Sequence, residues 1–142
     1  MAETPDIVCQ IAAGDLAGQV VYRDERVIAF LDHRPVFKGH VLVCPVRHVN
    51  DLTDLPDEEQ LPLWSVVRLV ARTMPGALGC TGTFVGNNNV VSQSVPHLHV
   101  HVVPRTRGDG LRGFFWPRTR YAEGDIETYG ALLRRALTEQ GR

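Results

Sequence analysis

From Gln93 to Arg105 the chain reads Gln-Ser-Val-Pro-His-Leu-His-Val-His-Val-Val-Pro-Arg. His97, His99 and His101 alternate with Leu98, Val100 and Val102. An extended strand points successive side chains to opposite faces, so the three imidazoles share one face while the apolar set faces a core. A helix would turn each ring about 200° from the one before, so the pattern predicts a strand. Pro96 and Pro104 bracket it, because proline suits strand ends better than interiors. Neighbouring rings then stand roughly 6.5–7 Å apart at the backbone. Imidazole acts near neutral pH as nucleophile, acid, base or metal ligand. A single histidine on a strand usually marks only a satisfied, half-buried residue. Here half of the chain's six histidines fall within five residues, which predicts a site.

The 142 residues, 44% of them hydrophobic, are enough for one domain, 1–142, with a sizeable core. A formal net charge of −1 provides no general field for nucleic acid or membrane surfaces, so a small anion would need local donors. Neither a basic-then-apolar leader nor an apolar run of ~20 residues is present. Cys9, Cys44 and Cys80 cannot all pair and suit a reducing cytoplasm.

Val8 to Ala13, ending at Gly14, predicts one or two helical turns. Gln19–Arg23 and Arg26–Leu31 read as a hairpin around the polar Asp24-Glu25. A loop from Asp32 to Gly39 leads to a third strand, His40–Pro45. The long helix is expected over Asp57–Met74, with Asp57 and Gln60 as a capping box and an apolar stripe of Leu63, Val66, Val67, Val70 and Met74. Pro62 either starts that helix or distorts its first turn, and Pro75-Gly76 is expected to stop it. Thr81–Asn87 forms the fourth strand and the histidine segment the fifth. Gly108-Asp109-Gly110 and Gly113 mark an irregular loop carrying Phe114, Phe115 and Trp116. A C-terminal helix over about Asp125–Gln140 reads as a packing helix with a solvated basic face at Arg134 and Arg135. The fold class is therefore α+β, an antiparallel sheet of about five strands with one long helix and a C-terminal helix.

The histidine run with its Gln-Ser and Pro-Arg flanks resembles the signature of the histidine triad (HIT) family. Phe30-Leu31-Asp32, Gly39-His40-Val41-Leu42-Val43-Cys44-Pro45 and Arg47-His48-Val49 resemble family blocks in order and spacing. The resemblance implies nucleotidyl transfer or hydrolysis at the α-phosphate of a purine nucleotide conjugate, by way of a covalent nucleotidyl-histidine, in a homodimer. The implied nucleophile is His99. His97 would fix its tautomer through a backbone carbonyl. His101 would lie beside the phosphate oxygens and leaving group, and His40 would support them. Gln93 and Ser94 match phosphate-binding positions, Asp32 the ribose-binding carboxylate, and Phe30 and His33 the base pocket.

Two departures stand out. The loop before the triad, Asn87-Asn88-Asn89-Val90-Val91-Ser92-Gln93, is about one residue shorter than the family's and lacks its glycines. Either Asn87 or Asn88 faces phosphate there, and Asn87 is favoured. Where bacterial relatives carry Cys-x-x-Cys, this chain has Asp6-x-x-Cys9. With His48 and His97 the implied set for a structural zinc is Asp-Cys-His-His, which tetrahedral zinc accepts. The alternative there is a buried free Cys9 and a solvated Asp6. The chemistry itself needs no cofactor. Two other functional classes remain: a metal-dependent hydrolase using the histidine strand as ligands, and a nucleotide-binding regulatory module with vestigial turnover. Trp116 is either an approach to the partner subunit's site or a hydrophobic dimer contact. The leaving group, phosphoramidate or polyphosphate, is not fixed by these motifs.

Overall fold

The computed structural model describes residues 5–111 and 117–141. Trp116 and its neighbours 112–115 lie outside them. The chain falls into two compact units, Met1–Asp109 and Gly110–Arg142. The first holds α1 (Ile7–Ala13), β1 (Val20–Arg23), β2 (Val27–Leu31), β3 (Val41–Pro45), a 3-10 turn (Leu52–Asp54), α2 (Asp57–Leu78), β4 (Gly82–Gly86) and β5 (Val100–Arg105). The second holds α3 (Asp125–Glu139), where helical periodicity places it.

The five strands form one antiparallel sheet in the order β1-β2-β3-β5-β4, so the α+β expectation holds. The β1–β2 hairpin closes on Asp24, whose Oδ1 accepts the Arg26 and Val27 N–H groups at 2.7 and 2.8 Å. Strand alternation sorts the core into two layers. Val27, Ala29, Val41, Val43, Leu98, Val100 and Val102 pack against Leu63, Val66, Val67 and Met74 of α2. On the other face Ile28, Phe30, Leu42 and Cys44 pack against Val8 and Ile11 of α1. Phe30 pairs with Leu42, and Leu42 with His101. Those pairs lay out one row on the α1 side of the sheet, where the triad histidines also stand.

The histidine segment corrects its expectation in one respect. The ladder begins only at Val100, so His97 and His99 precede the strand although their alternation of faces is kept. Their backbone is held by the loops instead: the Leu98 N–H donates to Val49 O at 2.7 Å and the His97 N–H to Val95 O at 2.8 Å. Pro104 lies inside β5 rather than after it. The β3–β5 pairing runs from Val100 to Val102, and Pro104 pairs with Thr83 of β4 alone, so no β3 carbonyl needs its missing N–H.

The long helix departs from expectation at both ends. Its N-cap is Pro56, with no side-chain cap. The capping box does not form, because Asp57 is already helical and binds Gln60 side chain to side chain at 3.0 Å. Asp57, Glu58 and Glu59 in the first turn favour the helix dipole instead. Pro62 sits within the helix and cannot donate to the Glu58 carbonyl. Arg26 Nη1 donates to that oxygen at 3.3 Å, which replaces part of the loss. Pro75-Gly76 does not stop the helix, which runs to Leu78 and ends at Gly79 with φ +75°. A left-handed C-cap is natural for glycine, whereas a proline in the last turn removes only one hydrogen bond.

Candidate active site and metal cluster

The triad histidines share a face but not a destination. A cavity of about 780 Å³ is lined by Ile7, Val8 and Ile11 of α1, the Leu16–Gln19 segment, Phe30, Leu31, Asp32, His33 and Leu42, with Ser94, Val95, His99 and His101. That volume suits a drug-sized ligand. His97 is fully buried and lines no part of this cavity, which corrects the expectation of three rings in one cleft.

His99 Nδ1 lies 2.7 Å from the His97 carbonyl oxygen. A carbonyl only accepts, so Nδ1 carries the proton and Nε2 keeps its lone pair. The carbonyl expected from the resemblance is in place. It is available because residues 97–99 lie outside the sheet ladder.

A second chain of hydrogen bonds fixes His101. The Val36 N–H donates to His40 Nδ1 at 3.1 Å, so the proton of that ring sits on Nε2. His40 Nε2 is 2.9 Å from His101 Nδ1 and donates to it, which leaves His101 with its proton on Nε2. Asp32 Oδ2 lies 3.8 Å from His40 Nε2, while Asp32 Oδ1 accepts the Arg34 N–H at 2.9 Å. Burial lowers the His40 pKa; Asp32 opposes this and His99 adds to it. Burial also brings His101 down to about 4, with the His99 and His40 charges adding to the effect and Asp32 opposing it. Both rings are therefore neutral near pH 7. The His99 and His101 ring centroids are 5.1 Å apart, one a bare acceptor and the other a donor.

Other expected site residues divide. Phe30, Asp32, His33 and Ser94 line the cavity. Asn87 and Gln93 do not. Gln93 Nε2 donates to Asn50 O at 2.5 Å and its Oε1 accepts the Val90 N–H at 3.0 Å. Asn87 donates to Asn89 Oδ1 at 2.7 Å, and the same oxygen accepts the Leu52 N–H at 3.0 Å. The glycine-poor loop is bent through two residues at positive φ, Val90 (67°) and Ser92 (60°), a conformation costly for a β-branched side chain. Sequence reasoning missed Asn50 and Asn89 as the anchors of this loop. Their signal, polar residues beside a histidine and in an asparagine run, is also that of any turn.

On the far side of His97, four ligand atoms of Asp6, Cys9, His48 and His97 all lie within 4.8 Å of one another. Cys9 Sγ is 3.5 Å from His97 Nδ1, 3.7 Å from His48 Nδ1 and 3.5 Å from Asp6 Oδ2. Asp6 Oδ2 is 2.8 Å from His48 Nδ1 and 3.2 Å from His97 Nδ1. A tetrahedron with zinc–ligand bonds of about 2.0–2.3 Å has edges of roughly 3.3–3.7 Å. Most of these spacings match it. The outer nitrogens are engaged: His97 Nε2 donates to Pro45 O at 2.8 Å and His48 Nε2 to Asn50 Oδ1 at 2.9 Å. Both Nδ1 atoms thus present lone pairs to a carboxylate and a sulfur, and one thiol proton cannot satisfy four acceptors. The donor set suits a cation, and its outer hydrogen bonds are of the kind that orient metal-binding imidazoles.

Burial raises the Cys9 pKa and the Asp6 charge adds to it. Burial also pushes Asp6 up, but hydrogen bonding, first from the Cys9 N–H, leaves the carboxyl below its ordinary value. Asp6 has a second part, as the N-cap of α1 that accepts the Cys9 N–H at 2.8 Å. All three cysteines are free.

A two-layer α+β sheet with paired imidazoles on a ligand-sized cavity defines the class. The HIT domain family model matches residues 13–108, and the chain belongs to the histidine triad family. It is 40% identical to the protein hit of Bacillus subtilis, over 92% of this chain and 93% of that one. It is 30% identical to an adenosine 5'-monophosphoramidase of Schizosaccharomyces pombe, over 87% of this chain and 92% of that one. An asymmetrical bis(5'-nucleosyl)-tetraphosphatase of the same yeast is 36% identical over 66% of this chain and 53% of its own length. Among solved structures, a HIT family protein of Bacillus subtilis superposes with a TM-score of 0.82 at 34% identity, covering 93% of this chain and 96% of that one. A zinc-bound histidine triad family protein of Mycobacterium smegmatis gives a TM-score of 0.71 at 36% identity, covering 95% and 93%.

Proposed function

We propose that the protein is a nucleotidyl hydrolase or transferase that cleaves a purine nucleotide conjugate, a nucleoside phosphoramidate or dinucleoside polyphosphate, at its α-phosphate through a covalent intermediate on His99. One observation carries the reading: the 2.7 Å bond from His99 Nδ1 to the His97 carbonyl leaves Nε2 as a lone pair on the cavity. Nε2 attacks phosphorus, the P–N bond to imidazole forms, and the bond to the leaving group breaks. The positive charge that develops on the ring is delocalised onto Nδ1–H and stabilised by the carbonyl already bound there. His101 Nε2–H and the Ser94 hydroxyl are the donors beside the departing atom and the phosphoryl oxygens. Water then attacks the adduct, returns a proton to the site and releases the nucleoside monophosphate. Asp32 would hold the ribose hydroxyls, and Phe30 with Ile7 and Ile11 would enclose the base beside His33. Asn87 and Gln93 act in this reading by shaping the phosphate loop.

The divergent directions of the rings support this reading over a catalytic metal site. His97 Nδ1 faces Asp6 and Cys9, His99 Nδ1 faces a carbonyl and His101 Nδ1 faces His40, so the three do not converge on one ion. The phosphoramidase and tetraphosphatase relatives support the substrate class. Zinc at Asp6, Cys9, His48 and His97 is proposed alongside, supported by the fit of the donor set and the zinc-bound relative. Bound there, it supplies a cross-link between the start of α1 and the loops around His48 and His97, and no step of the reaction. Dimerisation through the β4 edge strand and exposed apolar residues of α2 is proposed with it.

The test is to incubate the protein with adenosine phosphoramidate and with diadenosine polyphosphates, quench in alkali, and look for an adenylylated peptide containing His99. Adduct at His99 with monophosphate release is the expected result. Turnover without any trapped adduct, lost to chelators and restored by metal, would establish the competing reading.

A further inference from the structure

His97 belongs to both centres described above. Its ring closes the four-residue cluster through Nδ1, and its carbonyl holds the proton on His99 that leaves the attacking nitrogen bare. We propose that His97 is a positioning residue through which metal occupancy and nucleotide binding are thermodynamically coupled, so that the metal organises the active cavity as well as the fold. The inference rests on the zinc and nucleotide assignments just made.

Three observations carry it. Because the β5 ladder starts at Val100, no strand partner fixes the 97–98 peptide, and the carbonyl aimed at His99 depends on local anchors. Those anchors are the two short amide bonds to Val95 and Val49 and the His97 ring, itself pinned between Pro45 O and the cluster. The same cluster anchors the cavity wall, since Asp6 caps α1 and Cys9 lies in its first turn, while Ile7, Val8 and Ile11 of that helix line the cavity. A seven-residue helix has little stability of its own and depends on such tethers. Finally, the cluster atoms stand 2.8–3.7 Å apart with only the Cys9 thiol proton shared among them, so they crowd one another when no cation joins them. Without the metal, the α1 terminus and the His97 ring must move apart. That movement disturbs both the helix that walls the cavity and the residue that orients His99.

Coupling of this kind is reciprocal: if the metal tightens nucleotide binding, nucleotide tightens metal binding by the same factor. The experiment is therefore a four-way titration. AMP affinity is measured by calorimetry on zinc-loaded and chelator-stripped protein, and zinc affinity by competition with a chromophoric chelator, with and without AMP. The expected result is AMP binding at least five-fold weaker after stripping, mirrored by zinc binding at least five-fold tighter with AMP. Nitrogen-15 NMR of labelled histidines supplies the readout that a purely structural metal would not move. The loaded protein should show His99 as the Nδ1–H tautomer, and the stripped protein a mixture of tautomers. Should stripping unfold the chain, His48→Gln, which leaves α1 and His97 intact, provides the comparison. It should behave as stripped at limiting zinc and recover AMP affinity at saturating zinc. Equal AMP affinity within two-fold in folded protein with and without zinc, and an unchanged His99 tautomer, would overturn the coupling. Loaded protein that binds no AMP would overturn the nucleotide reading and the coupling with it, whereas AMP binding that ignores zinc would overturn the coupling alone.

Discussion

At the scale of single residues the site is a set of protons placed by backbone groups. His97 O, Val36 N–H and Pro45 O each determine which nitrogen of an adjacent ring is bare. Replacing His99 with glycine removes a lone pair that a pre-oriented ring presents to the cavity. We expect turnover to fall roughly 10³-fold or more, on the order of 4 kcal/mol in barrier, with AMP affinity changed only a few-fold by calorimetry. The buried neutral rings also set a pH dependence of stability. His101 has a folded pKa of about 4 against about 6.5 unfolded. Between those values the unfolded chain binds more protons, so stability is fully present above about pH 6.5 and is lost as pH falls toward 4. The melting temperature should drop across that window, and His101→Gln should flatten the profile relative to wild type. The residue types were legible in the sequence, since alternation put the imidazoles on one face. The place of His97 beside a cysteine 88 positions away came only through the family resemblance. Its pinning by the Pro45 carbonyl was not legible, because it depends on a backbone group that no side-chain pattern reports.

At the scale of elements, binary patterning worked where one face of a segment is buried. β2 and β3 alternate cleanly between the α2 and α1 layers, and the stripe from Leu63 to Met74 is the buried face of α2. Leu63 is almost fully buried at the centre of that layer. Leu63→Ala should cost about 2–5 kcal/mol, measured by denaturant titration at constant slope. Boundaries failed where a local signal was overridden. Pro75 reads as a stop, yet helix end and glycine coincide four residues later, and Gly79→Ala at φ +75° should cost about 1 kcal/mol. The short asparagine loop was equally opaque. Composition cannot show that Gln93 and Asn87 turn inward to hold a backbone that passes through left-handed valine and serine.

At the scale of the molecule, the sheet order leaves β1 and β4 as its two edges. Val85 on β4 is exposed, as are Leu61 and Trp64 on α2. The proposed contact with a second copy of the chain would use that edge strand and these exposed apolar residues. Sedimentation velocity should give a dimer for the wild type and a monomer for Val85→Lys combined with Leu61→Glu. The three-dimensional arrangement of layers was within reach of the sequence, because strand patterning and the family blocks agree. Self-association was not, since an exposed leucine reads the same whether a partner covers it or water does.

The two-ring chain from Val36 through His40 to His101 ends at a peptide amide, and an amide cannot release its hydrogen to resupply a spent neighbour. The wire is blind at its inner end. His101 Nε2–H therefore steadies a departing group by hydrogen bonding, because losing that proton would leave an imidazolate with no refill behind it. In the proposed reaction the proton that the leaving group takes up enters from the mouth of the cleft, and the two inner rings keep their tautomers through each turnover.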